Sequence, residues 1–230
     1  MYDFLKLSLA QLPAFFLDAV NALIHPRQHL RGIDTSQPDA MSKAFAYYGI
    51  IILLSLLMQA ALAGRDASAT GLVFQAMVAA VGLVADVLAM WLAWKAVGGQ
   101  ANVRALAIYL AHVTGASVLV FCFLAMPMMG LLRFVDAAPG GKGLSPLVGA
   151  LALPLGAHLD LLLLAALAFL GLGLLFFLAW MVFCWDAFRQ LNAVGGVRSA
   201  LAALVFTLLT APILLAELLA SSLARAPGAP

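Results

Sequence analysis

Charge is scarce in this 230-residue chain: Asp, Glu, Lys and Arg together make up 10% of it. A water-soluble domain carries about 25% charged residues, so the polar shell that such a domain needs is missing. The net charge of +2 leaves no basic footprint for DNA or RNA, and no nucleic-acid partner is expected. Cysteine is nearly absent. Cys122 and Cys184 both lie inside apolar runs, which excludes a disulfide framework and leaves them as small packing residues. Catalytic patterns are missing as well: there is no Gly-x-Ser-x-Gly elbow, no phosphate-binding glycine loop and no His-Glu-x-x-His. Gly171-x-Gly173 lies in the middle of an apolar run and reads as a packing feature. No enzyme and no cofactor is expected.

What the chain has is hydrophobicity: 65% apolar residues and a mean hydropathy of +1.08. Five apolar runs, 44–63, 71–97, 105–132, 161–185 and 199–219, each supply the roughly 20 residues that a helix needs to cross a bilayer core about 30 Å thick. Helices are required there, because lipid offers no partner for an open backbone group. The expected fold is therefore all-α: a polytopic transmembrane helical bundle of five spans. Residues 144–159 are apolar too, but Pro146, Gly149, Pro154 and Gly156 break the run. This stretch reads as an interfacial or re-entrant segment, with a six-span topology as the alternative.

Residues 1–42 form an N-terminal piece ahead of the membrane domain, 43–230. Lys6, Pro13, Asp18 and Asn21 interrupt the core that a signal peptide would need. Leu5, Leu9, Leu12, Phe16, Val20 and Leu23 recur at helical spacing opposite Gln11, Ala14, Asp18, Asn21 and His25. That is the pattern of an amphipathic helix in the membrane interface, bent near Pro13. A helix packed over the end of the bundle fits it equally. The polar stretch 25–42 reads as a loop or short helix in water. With five spans, one side of the membrane holds Lys6, Arg27, Arg31, Lys43, Lys95, Arg104, Arg189 and Arg198, and the other holds Arg65, Arg133, Lys142 and Arg225. Cationic loops stay inside, so the N-terminus is expected in the cytoplasm. Trp91, Trp94, Trp180, Trp185, Tyr47 and Tyr48 fall near the same ends of their helices, as an aromatic belt does. The Ala/Leu/Gly-rich composition suits a bacterial inner membrane.

The chain contains an echo of itself. Ala96-Val97-Gly98-Gly99 is followed by Val103-Arg104, and Ala193-Val194-Gly195-Gly196 by Val197-Arg198. Each glycine pair reads as the end of a helix, since Gly accepts the left-handed conformation at a helix stop. Two origins account for the echo: a duplicated two-helix unit whose turns form a cytoplasmic surface, or convergence on good turn chemistry.

The pattern resembles the Yip domain family, the Ypt/Rab-interacting membrane proteins and their bacterial relatives. Three features carry the resemblance: Asn21-Ala22-Leu23-Ile24-His25-Pro26-Arg27 with Leu30-Arg31-Gly32-Ile33; Gly98-Gly99 leading to Arg104-Ala105-Leu106-Ala107; and Trp185 to Phe188, Val194-Gly195-Gly196, then Arg198 to Leu201. The resemblance implies a five-helix membrane domain with a cytoplasmic N-terminus and, for eukaryotic members, vesicle traffic through small GTPases. The long polar N-terminal region and the Asp-Leu-Tyr-Gly-Pro signature of those members are absent here, which argues against a small GTPase partner. The partners expected are the bilayer and other membrane proteins, a second copy included.

A charge near the bilayer centre costs about 2.5–3.5 kcal/mol on insertion scales, so each one needs a reason. Asp86 lies eleven residues (97 − 86) before the inner end of the second run, and His112 eight residues (112 − 104) after Arg104. The two helices are read as antiparallel neighbours and the two residues differ by about 4.5 Å in depth, so Asp86 and His112 are expected to meet. Ala85, Ala89 and Ala93 on one helix and Ala107, Ala111 and Gly115 on the other form the small-residue stripes that permit close approach. The Asp86/His112 pair reads as a buried register lock, or as a proton or ion relay in a small transporter or channel subunit. Asp186 and Arg189 read as an interfacial ion pair. His158, Asp160 and Glu217 share one side but lack helical metal-ligand spacing, so no metal site is expected.

Overall fold

The computed structural model describes residues 15–63, 69–137 and 157–224. Everything regular among them is helical. In chain order the helices are α1 (Phe15–Ile24), α2 (Pro26–Gly32), α3 (Ala40–Ala63), α4 (Ala69–Ala96), α5 (Val103–Ala137), α6 (Ala157–Leu191) and α7 (Gly196–Ala224). The last five are each long and apolar enough to cross a membrane, so the chain is a multi-pass membrane protein of the expected all-α class. Residues 1–14 lie outside the described residues, and with them Lys6, Leu5, Leu9 and Leu12. So do residues 144–156 of the broken apolar stretch.

Each of the five long helices begins two to four residues ahead of its apolar run, and at α5 a capping side chain sets the start. Helix α5 begins at Val103, two residues ahead of the predicted run, because the Asn102 Oδ1 accepts the Ala105 N–H at 2.7 Å. That satisfies one of the donors every helix start leaves open. Helix α2 begins on Pro26, whose fixed φ suits a first helical position and whose missing N–H costs nothing there.

The chain divides into two compact units, Met1–Val118 with Met181–Pro230, and Leu119–Trp180. In the first, α4 packs on α7 and α3. The Tyr48 hydroxyl of α3 donates to the Ala79 carbonyl of α4 at 3.0 Å. Trp94 of α4 stacks on Trp185 of α6, with ring centroids 5.1 Å apart, and the Trp185 Nε1 donates to the Ser199 Oγ of α7 at 2.9 Å. Tyr109 of α5 meets Phe188 of α6 edge-on. The belt aromatics thus act as packing residues: Trp94 is 1% exposed and Tyr47 4%. In the second unit Phe121 sits against Phe177, and Leu124 against Gly173.

Helix α1 packs on the bundle with one face and leaves an apolar stripe exposed on another. Phe15, Ala19 and Ala22 are buried. Phe16, Leu17, Val20 and Ile24 form an exposed apolar stripe, and Asp18, Asn21 and His25 are exposed on the remaining side. At about 100° per residue these are three contiguous sectors of one helix: packed, apolar and free, and polar. The predicted Phe16/Val20 face is therefore the free one, while Phe15, absent from that pattern, is the one that docks. It packs on Tyr47, with centroids 5.2 Å apart.

Candidate functional site

The 97–102 and 192–195 turns meet through Asn192, and α2 docks on the end of α6 beside them. Both turns end their helices in the same hydrogen-bonded way. After α4, the Gly99 N–H bonds the Trp94 carbonyl at 2.7 Å and the Gly98 N–H bonds the Lys95 carbonyl at 3.1 Å. After α6, the Val194 N–H bonds the Arg189 carbonyl at 3.4 Å and the Ala193 N–H bonds the Gln190 carbonyl at 3.1 Å. This pair of bonds closes a helix around one left-handed residue. The residue is Gly98 (φ 84°) in the first turn and Ala193 (φ 54°) in the second. The expectation that a glycine pair stops each helix therefore holds for Gly98-Gly99 and fails for Gly195-Gly196. Those two glycines start α7 instead: the Gly195 carbonyl takes the Ser199 N–H at 3.0 Å. The tight wrap set by the last turn of α6 arrives two residues ahead of the glycines, so Ala193 takes the strained position.

The two turns are joined by Asn192, which is fully buried. Its side-chain amide donates to the Phe188 carbonyl at 2.9 Å, tying it to its own helix. Its Oδ1 accepts the Ala101 N–H at 3.3 Å, and its backbone carbonyl accepts the Gln100 N–H at 3.3 Å. Gly98 and Arg198 also approach each other. Gly98, Gly195, Gly196 and Arg198 are exposed there, while Gly99 is buried. Arg104 instead donates to the Gln37 carbonyl at 2.6 Å and the Pro38 carbonyl at 3.3 Å.

Asp186 does more than pair with Arg189. Its Oδ1 accepts from the Arg189 Nη2 at 2.6 Å, and its Oδ2 is held by Arg27, with Arg31 at 3.8 Å. The Gln190 Nε2 donates to the same oxygen at 2.8 Å. Asp186 is 19% exposed in its side chain, so these bonds are partly shielded from water and worth more than surface pairs. They dock α2 onto the end of α6.

His112 is buried on α5. Its Nδ1 donates to the Ile108 carbonyl at 2.8 Å; a carbonyl only accepts, so in the neutral ring the free lone pair lies on Nε2. The ring stacks on Tyr47 at 4.9 Å and lies 5.5 Å from the ring of His29. The neighbours shown for His112 thus come from α2 and α3. Asp86 is half-buried on α4, where Ala89 and Ala93 are buried and Ala85 is half-buried. Ala107, Ala111 and Gly115 are all buried on α5, and Gly115 lies against Tyr47 and Ile51 of α3.

A cavity of about 390 Å³ opens beside His112, lined by Asp18, His29, Asp34 and Lys43 among others. The His29 Nε2 and the Tyr47 hydroxyl are buried without a hydrogen-bond partner. Burial, and then the neighbouring His112, push the His29 pKa below the usual histidine value, against a smaller opposing pull from Asp18. Hydrogen bonds from the Ser36 hydroxyl and backbone hold the exposed Asp34 carboxyl low.

Sequence reasoning missed His29, Tyr47 as a partner of His112, and Asn192. A usable signal existed only for His29, which follows Pro26 by three residues and so falls one turn into a helix that a proline starts well. His158 and Asp160 lie on α6 and Glu217 on α7, outside the residues whose side chains are described. Comparison of the chain with protein-family models, curated proteins and solved structures finds no match in any of the three.

Proposed function

We propose that this chain is a Yip-like, non-enzymatic membrane protein of the cytoplasmic membrane that works by lateral association with other membrane proteins. The observation that carries this reading is helix α6. Only 11% of its most apolar stretch is buried within the chain, and Ala165, Ala168 and Gly171 lie exposed along it. A Cβ on Gly171 would meet nothing within 4 Å. Small residues on an exposed membrane helix let a second helix backbone come close, and in lipid that contact is what drives association. The five long helices agree with the domain that the Yip resemblance implies.

The free apolar stripe of α1 supports a second part of the role. A helix wedged into one leaflet expands it and favours curvature. Arg27, Arg31, Arg104 and Arg198 gather with α1 at the end where a cytoplasmic face belongs. In this reading the N-terminus is cytoplasmic and small GTPases take no part.

Native mass spectrometry of the protein released from its own membranes tests the reading. Stable oligomers or defined heteromers that dissociate on Gly171→Leu are expected. A monomer in both forms would overturn it. Proton-coupled flux in liposomes that disappears in Asp86→Asn would favour the transporter alternative instead.

A further inference from the structure

The cavity beside His112 has the chemistry of a cation site. Its charged lining is two carboxylates, Asp18 and Asp34, and one ammonium, Lys43. Lys43 is already committed to Asp39 at 2.7 Å. Asp34 is partly occupied by Ser36, with the Oδ1 accepting at 2.6 Å. Asp18 lines the cavity together with His29 and His112. Among the lining residues, His29 has a buried Nε2 without a hydrogen-bond partner. His112, which lines the cavity at 8% exposure, has spent its one N–H on Ile108 and keeps a lone pair on Nε2. Buried polar atoms without partners are uncommon in a folded protein, and each calls for a reason.

We propose that this cavity binds the primary ammonium group of a small amine, with Asp18 as its counter-charge and the imidazoles of His29 and His112 as hydrogen-bond acceptors. An ammonium has three donors and no acceptor, which matches a carboxylate beside two lone-pair nitrogens. The volume, about 390 Å³, is at the small end of ligand pockets and suits an aminoethyl group with what it is attached to. The Gln28 and Gln37 amides line the same space and offer donors to an attached phosphate. Two sources carry this group at a membrane surface: an ethanolamine phospholipid and a free amine in the adjoining water.

The site does not depend on lateral association, and Gly171→Leu is expected to leave it intact. The test uses the full-length protein in nanodiscs whose lipids share acyl chains and differ only in an ethanolamine or a choline headgroup, together with titration of soluble ethanolamine and choline. A primary ammonium donates hydrogen bonds and a trimethylammonium does not, so the wild type is expected to prefer the ethanolamine form at least tenfold. Asp18→Asn, at an exposed position, is expected to abolish that preference, and His29→Ala to weaken it several-fold. Preference among lipids only identifies the headgroup as the ligand, and preference among soluble amines identifies the free amine. Equal retention of the two lipids, together with no preference between ethanolamine and choline, overturns the proposal. So does a preference that survives in Asp18→Asn.

Discussion

The turns after α4 and α6 share the sequence Ala-Val-Gly-Gly and the same pair of helix-closing bonds, but not the residue that does the closing. Gly98 takes the left-handed position in one, Ala193 in the other. Gly99 is wedged between Asn192 and Trp94, while Gly195 and Gly196 have open space where a side chain would stand. The difference teaches that likeness of letters does not establish likeness of role. The first glycine pair is required by geometry. The second stands two residues past the strained position, at a helix start that other residues also tolerate. An echo of this kind supports a common surface at one end of the molecule. It does not make the two turns structurally equivalent.

The comparison breaks most visibly at Gly99. A Cβ there would lie 2.7 Å from the Asn192 Oδ1 and 2.8 Å from the Trp94 carbonyl oxygen, and neither contact is the loose end of a flexible side chain. Gly99→Ala is expected to destabilise the protein by about 1–3 kcal/mol, the range for overpacking. Thermal unfolding in detergent, followed by tryptophan fluorescence, measures it. Asn192→Ala follows closely. It leaves the buried Ala101 N–H without its acceptor, at a cost of about 1–3 kcal/mol. Because Gly99 crowds the very oxygen that Asn192→Ala removes, the two changes together are expected to cost less than their sum.

How much of this was legible beforehand follows the same physics. The five membrane helices follow from hydrophobicity over about 20 residues, a signal that short-range detail does not disturb. The Asp186–Arg189 pair follows from helical spacing. The docking of Arg27 and Arg31 on the same carboxylate does not, because it depends on where α2 lands, more than 150 residues away along the chain (186 − 31). His112 was recognisable as a buried polar group that needs a reason. Its neighbours His29 and Tyr47 were not, because depth in the membrane says nothing about which side chains of α2 and α3 stand next to it. The role of Phe15 was hidden for a related reason: an amphipathic pattern shows that a helix has an apolar side, and here that side is split between a docked sector and a free one.

A smaller effect separates the two left-handed positions. An L-residue with a Cβ in this conformation carries a penalty of about 1–2 kcal/mol, and Ala193 bears it now. Ala193→Gly removes the penalty and gives back about 0.5–1 kcal/mol through the greater freedom of glycine in the unfolded chain. A net gain of about 0.5–1 kcal/mol is expected. Gly98→Ala installs the same penalty and is expected to cost about as much as Ala193→Gly gains. Measured side by side in the same thermal assay, the two changes carry opposite signs if Gly98 and Ala193 are equivalent. A loss of stability in Ala193→Gly would show that the second turn is held by something other than its backbone conformation.

The smallest effect belongs to Gly196, and it is the sharpest check on the assignment of roles. Gly196 is the first residue of α7 and a Cβ there meets nothing within 4 Å. Alanine is the better helix former by about 1 kcal/mol in a helix interior, and that advantage shrinks at a first position, where the backbone is held from one side only. Gly196→Ala is therefore expected to leave stability unchanged or to raise it by a few tenths of a kcal/mol. By the sequence echo, Gly196 is the counterpart of Gly99. If the turns were copies in structure as well as in letters, alanine at Gly196 would be as damaging as alanine at Gly99. The difference between those two single substitutions in one unfolding experiment measures how far the second turn has departed from the first.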